Sequence, residues 1–440
     1  DTKPHHHEEE EEKYHDERRY SDHSNEIQAL EIEKNDRDNL VSEDKYTLPL
    51  LPQKLLLLAI LVLTISLALD FTLTQPLQDG NGAFAATLQR GGLLTPFWKV
   101  ITLMVSPYVY VMILVFSLAM RPMTDSAKIM IMIALAESSN CLLKIWYQRP
   151  RPYFNQSDVE ALGECTTSMG MPSGHAMAGI FICVYTPIVL FHRSIVQADS
   201  VHLERTFYTV LATLYGLVCF SRIYLGMHTF MQISIGASTG CILLYTVLYY
   251  DKYIEYYLVG KSMLFKRDLF WKRIGLLGVF FLLILATYTS LEHWEPPKSW
   301  VSNIYDKCPE LRSVLHARSF SPVFLHAQFV WSSILWMVFG TVLGCNYTWY
   351  FSGIPQNWNS GTLFGRFLLA IGATLCVGGI FVSAIMIYMN SDVVNTWTAY
   401  FFYSLFHITV GFFSYGVLPT LTYTVKAAFR QGLSCPSDSL

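Results

Sequence analysis

Three short runs between residues 144 and 232 hold side chains that could transfer a phosphoryl group. The first is Lys144-Ile-Trp-Tyr-Gln-Arg-Pro-Arg151-Pro152, a lysine separated by six residues from an Arg-Pro pair. The second is Pro172-Ser173-Gly174-His175, and the third is Ser221-Arg222-Ile-Tyr-Leu-Gly-Met-His228, with Gln232 four residues on. Lys144, Arg151 and Arg222 can neutralise a phosphate dianion, the arginines bidentately. The Ser173 hydroxyl and the backbone N–H groups of Ser173 and Gly174 lie just before an apolar helix. They add donors and the positive end of a helix dipole. One histidine can attack phosphorus while the other protonates the leaving oxygen. His228 follows Arg222 closely, so one short turn can carry an attacking nitrogen and a phosphate clamp; it is assigned as the nucleophile. His175 opens a helix beside Ser173 and is assigned as the general acid that later activates water. Any one run occurs often by chance. Interfacial Arg, Lys and His reaching for head groups would explain single residues but not the joint spacing. No carboxylates or histidines stand nearby at metal-ligand spacing, so the expectation is no metal and no cofactor.

The elements that must position these runs are membrane helices. The chain has 440 residues, of which 52% are hydrophobic and 15% charged. Mean hydropathy is +0.32, and a soluble protein carries about 25% charged residues. The reading is an all-α polytopic membrane protein with about ten transmembrane helices, each near the ~20 residues that span a bilayer. The apolar runs lie near 55–73, 97–120, 127–147, 175–191, 206–223, 229–250, 274–290, 324–345, 363–389 and 396–420. Residues 1–50, with His5 to His7 and Glu8 to Glu12, read as a disordered polar cytosolic tail. Residues 51–94 read as an extra N-terminal span, holding Asp70 near its end, and a loop with Pro76, Gly80 and Gly82. Residues 95–425 read as the membrane domain and 426–440 as a second cytosolic tail.

Lysine and arginine collect in loops 251–273 and 192–205 and at Arg121 and Lys128, which places those loops and both termini in the cytosol. Loops 148–174, 224–228 and 290–323 then face the lumen, and the catalytic runs with them. The sequon at Asn155 falls on the glycosylated side, and the one at Asn346 on the other. Among the nine cysteines, Cys165 and Cys308 lie in lumenal loops. The lumen is oxidising, so they are expected to pair, with two free thiols as the alternative.

Other polar residues admit two readings. Glu137 and Asn140 lie inside a span, and Asn140 shares a helix face with Lys144. They either line a substrate pocket or bond neighbouring helices. Gln232 either orients His228 or packs its helix. Arg149 has the wrong spacing from Lys144 and reads as an accessory or interfacial residue. Trp98, Trp331 and Trp336 read as lipid-facing or packing residues. The expected partners are a small-molecule phosphate ester and membrane lipids, with no nucleic acid.

The three runs resemble the type-2 phosphatidic-acid-phosphatase (PAP2) superfamily pattern KxxxxxxRP, PSGH, SRxxxxxH. Within it the chain is most similar to the glucose-6-phosphatase catalytic subunit family. Glu137, Asn140 and Lys144 match that family's acidic-x-x-Asn-x-x-x-Lys helix, and Arg151-Pro152-Tyr153 its Arg-Pro-Tyr. Cys165 stands seven residues before Pro172, and Ser173-Gly-His-Ala-Met177 matches SGHAM. Gln232 occupies a place where most of the superfamily has Asp and this family has Gln. The resemblance implies a PAP2-type helical catalytic core with an extra span near 55–73 added. It also implies hydrolysis of glucose-6-phosphate through a phosphohistidine at the lumenal face of the endoplasmic reticulum, and a sugar-phosphate transporter as partner. Gly226-Met227 before His228 resembles the sphingosine-phosphate phosphatase branch, so a lipid phosphatase acting on sphingoid-base or related phosphates is the alternative.

Overall fold

The computed structural model describes residues 53–89, 92–251, 267–291, 294–311, 325, 328–350, 371 and 396–424. Every regular element among them is helical. In chain order they begin with α1 (Gln53–Thr72), α2 (Thr74–Gln89), α3 (Thr95–Leu103), α4 (Pro107–Met120) and α5 (Met123–Tyr147). A single turn, α6 (Pro152–Asn155), follows. Then α7 (Gly174–Ile180) runs through a π-helical turn at Phe181–Tyr185 into α8 (Thr186–Gln197). Next come α9 (Val201–Tyr224), α10 (Phe230–Tyr249), α11 (Arg267–Ser290), α12 (Lys298–Lys307), α13 (Leu335–Tyr350) and α14 (Thr396–Phe412).

Seven helical stretches among the described residues are long and apolar enough to cross a membrane. The bent pair α3 and α4 makes an eighth, and Ile274–Ser290 is a shorter apolar helix. The count of ten expected spans is thus matched in part, and the run at 363–389 lies outside the described residues except for residue 371. So do the tails 1–50 and 426–440 and most of loop 251–273.

Three local expectations need correction. The run 97–120 is not one straight helix, because its halves meet at 45°. Pro107 opens α4 and has no N–H to continue the ladder from α3. The stretch after α1 is not a loop. Pro76 falls in the first turn of α2, where its missing N–H costs nothing. The segment 290–323, expected as a loop, likewise contains a helix, α12.

α5 runs through the centre of the fold and is buried along most of its length. Its packing faces mix bulky and small side chains: Ile129, Ile133 and Ile145 are enclosed, as are Ala127, Ala134 and Ser138. The C-terminal ends of α5 and α9 meet the N-terminal ends of α7 and α10, and these four ends carry the three runs. At the opposite end of α5, Lys128 pairs with Asp251 (3.2 Å) and Asp125 (3.7 Å).

The segment joining α5 to α7 is held from outside by α12. Cys165 and Cys308 are bridged, with Cα atoms 5.8 Å apart. Asn303 Nδ2 donates to the Phe154 carbonyl (2.7 Å), and Lys307 Nζ to those of Val159 (2.8 Å) and Gln156.

Candidate active site

Lys144 stands one turn from the end of α5. Gln148 stops that helix with φ 48°. Arg149-Pro150-Arg151-Pro152 follows, in which each residue before a proline is pushed out of the helical region. Arg151 accordingly has φ −77° and ψ 157°. Its Nε donates to the Ser168 carbonyl (2.7 Å) and its Nη2 to the Ser168 hydroxyl. Its Nη1 lies 3.2 Å from both the Met227 carbonyl and His228 Nε2. Lys144 Nζ donates to the Met169 carbonyl (2.6 Å).

His228 sits in a tight turn between α9 and α10. Gly226 there has φ 71°, and a Cβ on it would meet the Glu160 carbonyl at 2.4 Å. Glycine is therefore required on both conformational and steric grounds. The turn folds back so that the N–H groups of Met227 and His228 both reach the Arg222 carbonyl (3.0 and 3.2 Å). His228 Nδ1 lies 2.8 Å from the Gly170 carbonyl. A carbonyl can only accept, so Nδ1 carries the proton. Nε2 is then a lone-pair acceptor facing Arg151. Burial, followed by the charges of Arg151, Arg222, Lys144 and His175, holds the His228 imidazole well below its ordinary pKa.

Gln232 serves both of the roles open to it. Thr229 caps α10, and its hydroxyl and the Gln232 side chain exchange bonds with each other's backbone N–H (3.2 Å each). The same Gln232 Oε1 lies 3.2 Å from His228 Nδ1, and Nε2 donates to the Pro150 carbonyl (2.7 Å). The Thr229-Phe-Met-Gln232 spacing is a capping-box signature readable in the sequence.

Around this centre the remaining residues fall into two groups. Ser173 Oγ and Arg222 Nε are buried without a partner, as is Asn140 Oδ1. Arg222 Nη1 donates to Thr102 Oγ1 (2.7 Å), and the His175 ring lies against the Thr102 backbone. The Ser173 backbone N–H is not available for phosphate, since it donates to the Gln232 carbonyl (3.0 Å). The hydroxyl of Ser173 and the N–H of Gly174, the first helical residue of α7, are the donors offered there. Gly174 also leaves room for Asn140, whose Nδ2 would stand 2.7 Å from an added Cβ.

Glu137 belongs to the second group. Its carboxylate accepts from Tyr110 Oη, and the Asn140 and Trp331 side chains bond it as well. These bonds join helices, the second of the two readings open to Glu137, and they give Trp331 a polar contact. Arg149 pairs through its Nε with Asp70 Oδ2 on α1 (2.8 Å). Asn155 ends the single turn α6 and is half-buried, with Ser157 of its sequon exposed. Asn346 lies within α13, and Thr348 of that sequon is buried and donates to the Tyr415 carbonyl (2.6 Å). Thr102, Ser168, Met169 and Gly170 had no signal in the sequence, because most of them act through backbone groups.

Residues 125–256 match the PAP2 superfamily, a segment that contains all three runs. Phosphatidylglycerophosphatase B of Bacillus subtilis (strain 168) is 33% identical over 116 residues, covering 26% of this chain and 53% of that protein. Lipid phosphate phosphatase delta of Arabidopsis thaliana is 26% identical over 127 residues, 29% of this chain and 28% of that protein. The chain thus spans about half the length of the first and less of the second. No solved structure matches the chain. The helical architecture and the family match together give residues 125–256 a PAP2-type helical core.

Proposed function

We propose that this chain is a membrane-embedded phosphomonoesterase that works through a phosphohistidine on His228. One observation carries the reading: His228 donates Nδ1–H to Gly170 and turns an unprotonated Nε2 toward Arg151. The Nε2 lone pair attacks phosphorus, the ester P–O bond breaks, and His175 gives its proton to the departing oxygen. His175 then takes a proton from water, whose oxygen attacks phosphorus. The P–N bond breaks, phosphate leaves and the Nε2 lone pair returns. Lys144, Arg151, Arg222, the Ser173 hydroxyl and the Gly174 N–H neutralise the phosphate oxygens. In phosphoryl transfer, positioning and charge do most of the work.

The substrate we assign is glucose-6-phosphate, hydrolysed at the lumenal face of the endoplasmic reticulum. Gln232, the Cys165-to-Pro172 spacing and the SGHAM run support it. A lipid phosphate is the second reading, favoured by the names of the two curated relatives and by Gly226-Met227. Detergent-solubilised protein should be assayed side by side on glucose-6-phosphate, sphingosine-1-phosphate and phosphatidylglycerophosphate. The expected result is a higher kcat/KM on the sugar phosphate. A lipid phosphate hydrolysed far faster would replace this assignment and leave the mechanism standing.

A lumenal site makes a second expectation. Asn155→Gln should remove a glycan and speed migration on a gel, and Asn346→Gln should change nothing. Asn346 is expected to stay bare because its sequon lies inside a packed helix. A mobility shift from Asn346→Gln, or none from Asn155→Gln, would contradict the orientation.

A further inference from the structure

α1 is apolar and faces outward for most of its length, with Ala59, Ser66 and Asp70 as its buried residues. These fall on one stripe, and α1 packs along α10. A carboxylate in such a helix is costly unless a partner offsets it. Asp70 meets that condition by pairing with Arg149 at 2.8 Å, and the Arg149 guanidinium also lies over the Phe71 ring at 5.6 Å.

What Arg149 carries gives the pair its consequence. The Gly170 N–H donates to the Arg149 carbonyl (2.8 Å), and Gly170 in turn accepts from His228 Nδ1 (2.8 Å). Gln232 Nε2 donates to the neighbouring Pro150 carbonyl (2.7 Å), and Gln232 Oε1 is the other group at His228 Nδ1 (3.2 Å). Both groups that touch Nδ1 are therefore fixed to the Arg149-Pro150 backbone, and Asp70 fixes Arg149. The N-terminal segment takes a second hold through α2. The Gln89 side chain donates to the carbonyls of Glu160 (3.0 Å) and Tyr224 (3.1 Å) and accepts from the Glu160 N–H (3.0 Å). That clamps the loop beside Gly226 to the end of the helix that carries Arg222.

We infer that Asp70 is a positioning residue for His228, and that the segment formed by α1 and α2 is part of the catalytic scaffold rather than a membrane anchor alone. The inference rests on His228 being the nucleophile. The pair acts at one remove: it holds the backbone segment on which the Nδ1 acceptors rest, and so the direction of the Nε2 lone pair.

The test uses the full chain in detergent micelles, with p-nitrophenyl phosphate as substrate and orthovanadate as a binding probe. Asp70→Asn keeps the shape and removes the charge. It should lower kcat about tenfold with KM within about twofold, as misaimed catalytic groups do. Asp70→Glu should recover most of the loss. Arg149→Gln should resemble Asp70→Asn, and the double variant should be no worse than either single one, because the two residues act as a pair. Asp70→Asn with an unchanged kcat per folded molecule, or losses that simply add in the double variant, would overturn the inference while the phosphatase reading stands. A wild-type protein that neither turns over the substrate nor binds vanadate would remove both.

Discussion

His228→Ala is expected to lose at least about a thousandfold in kcat and to take up no label from a 32P-phosphate ester, while His175→Ala still accepts label. The two histidines are not equivalent in the structure. His228 Nδ1 is committed to Gly170, which leaves Nε2 as the attacking atom. His175 is the second residue of α7 and rests against Thr102 beside Arg222. A test that separates them exploits the leaving group. p-Nitrophenolate departs without a proton, so His175→Ala should form the phosphoenzyme from p-nitrophenyl phosphate at a rate close to wild type. It should then stall, because hydrolysis still needs a base. His228→Ala should fail with both good and poor leaving groups. Rapid quench would show an acid-labile, base-stable phosphoramidate in wild type and an accumulating one in His175→Ala. Label retained on His228→Ala would overturn the assignment.

The same placement fixes a pH expectation. His228 is held well below its ordinary pKa by burial first and then by the surrounding cations, so it is neutral through the physiological range. The acid limb of kcat/KM should follow the second phosphate ionisation of the substrate near pH 6 rather than His228. Stability follows from the same shift. The unfolded chain takes up a proton at this histidine near pH 6.5, while the folded one does not until the pH is much lower. The unfolded state therefore binds more protons below about pH 6.5, and this contribution to stability is lost as the pH falls through that point.

The residues that could be read from the sequence are those whose side chains carry the chemistry. Lys144, Arg151, Arg222, His175 and His228 are recognisable by type and spacing, and the structure brings all five to one end of the helix bundle. What acts through the backbone could not be read. Gly170 offers His228 a carbonyl, and Met169 offers one to Lys144; any residue could supply those atoms. Thr102 escaped because a hydroxyl inside an apolar run gives no signal, and its partner Arg222 stands 120 residues on. For Glu137 the sequence left a pocket or an interhelical role open, because a carboxylate in a span needs a partner but does not name it; Tyr110 and Trp331 supply partners from other elements. The Cys165–Cys308 expectation rested on charge bias and loop order alone, and the structure joins the two at a Cα separation of 5.8 Å. Asp70 was placed near its helix end, yet its partner was not legible, since Arg149 stands 79 residues away in the chain.

Arg151→Lys is expected to cost about two to three orders of magnitude in kcat/KM although it keeps the charge, nearly as much as Arg151→Gln. Arg151 spends its donors in several directions at once. Nε and Nη2 hold Ser168, and Nη1 spans the Met227 carbonyl and Nε2 of His228. That fork is flat and rigid, and a lysine ammonium is a compact point charge on a flexible stem. A lysine could neutralise a phosphate oxygen, but it could not also keep Ser168 and the 225–228 turn in register. The Ser168 and Met227 carbonyls would be left buried and unbonded. Arg222 offers the contrast: Nη1 meets Thr102 Oγ1 and Nε is buried without a partner. Arg222→Lys breaks fewer internal bonds and should raise the KM for phosphate esters and vanadate more than it lowers kcat. The measurement is a full kcat and KM set for the three variants, with orthovanadate affinity from thermal shifts. If Arg151→Lys keeps kcat within about threefold of wild type, Arg151 supplies charge alone, and the registered fork assigned to it here is wrong.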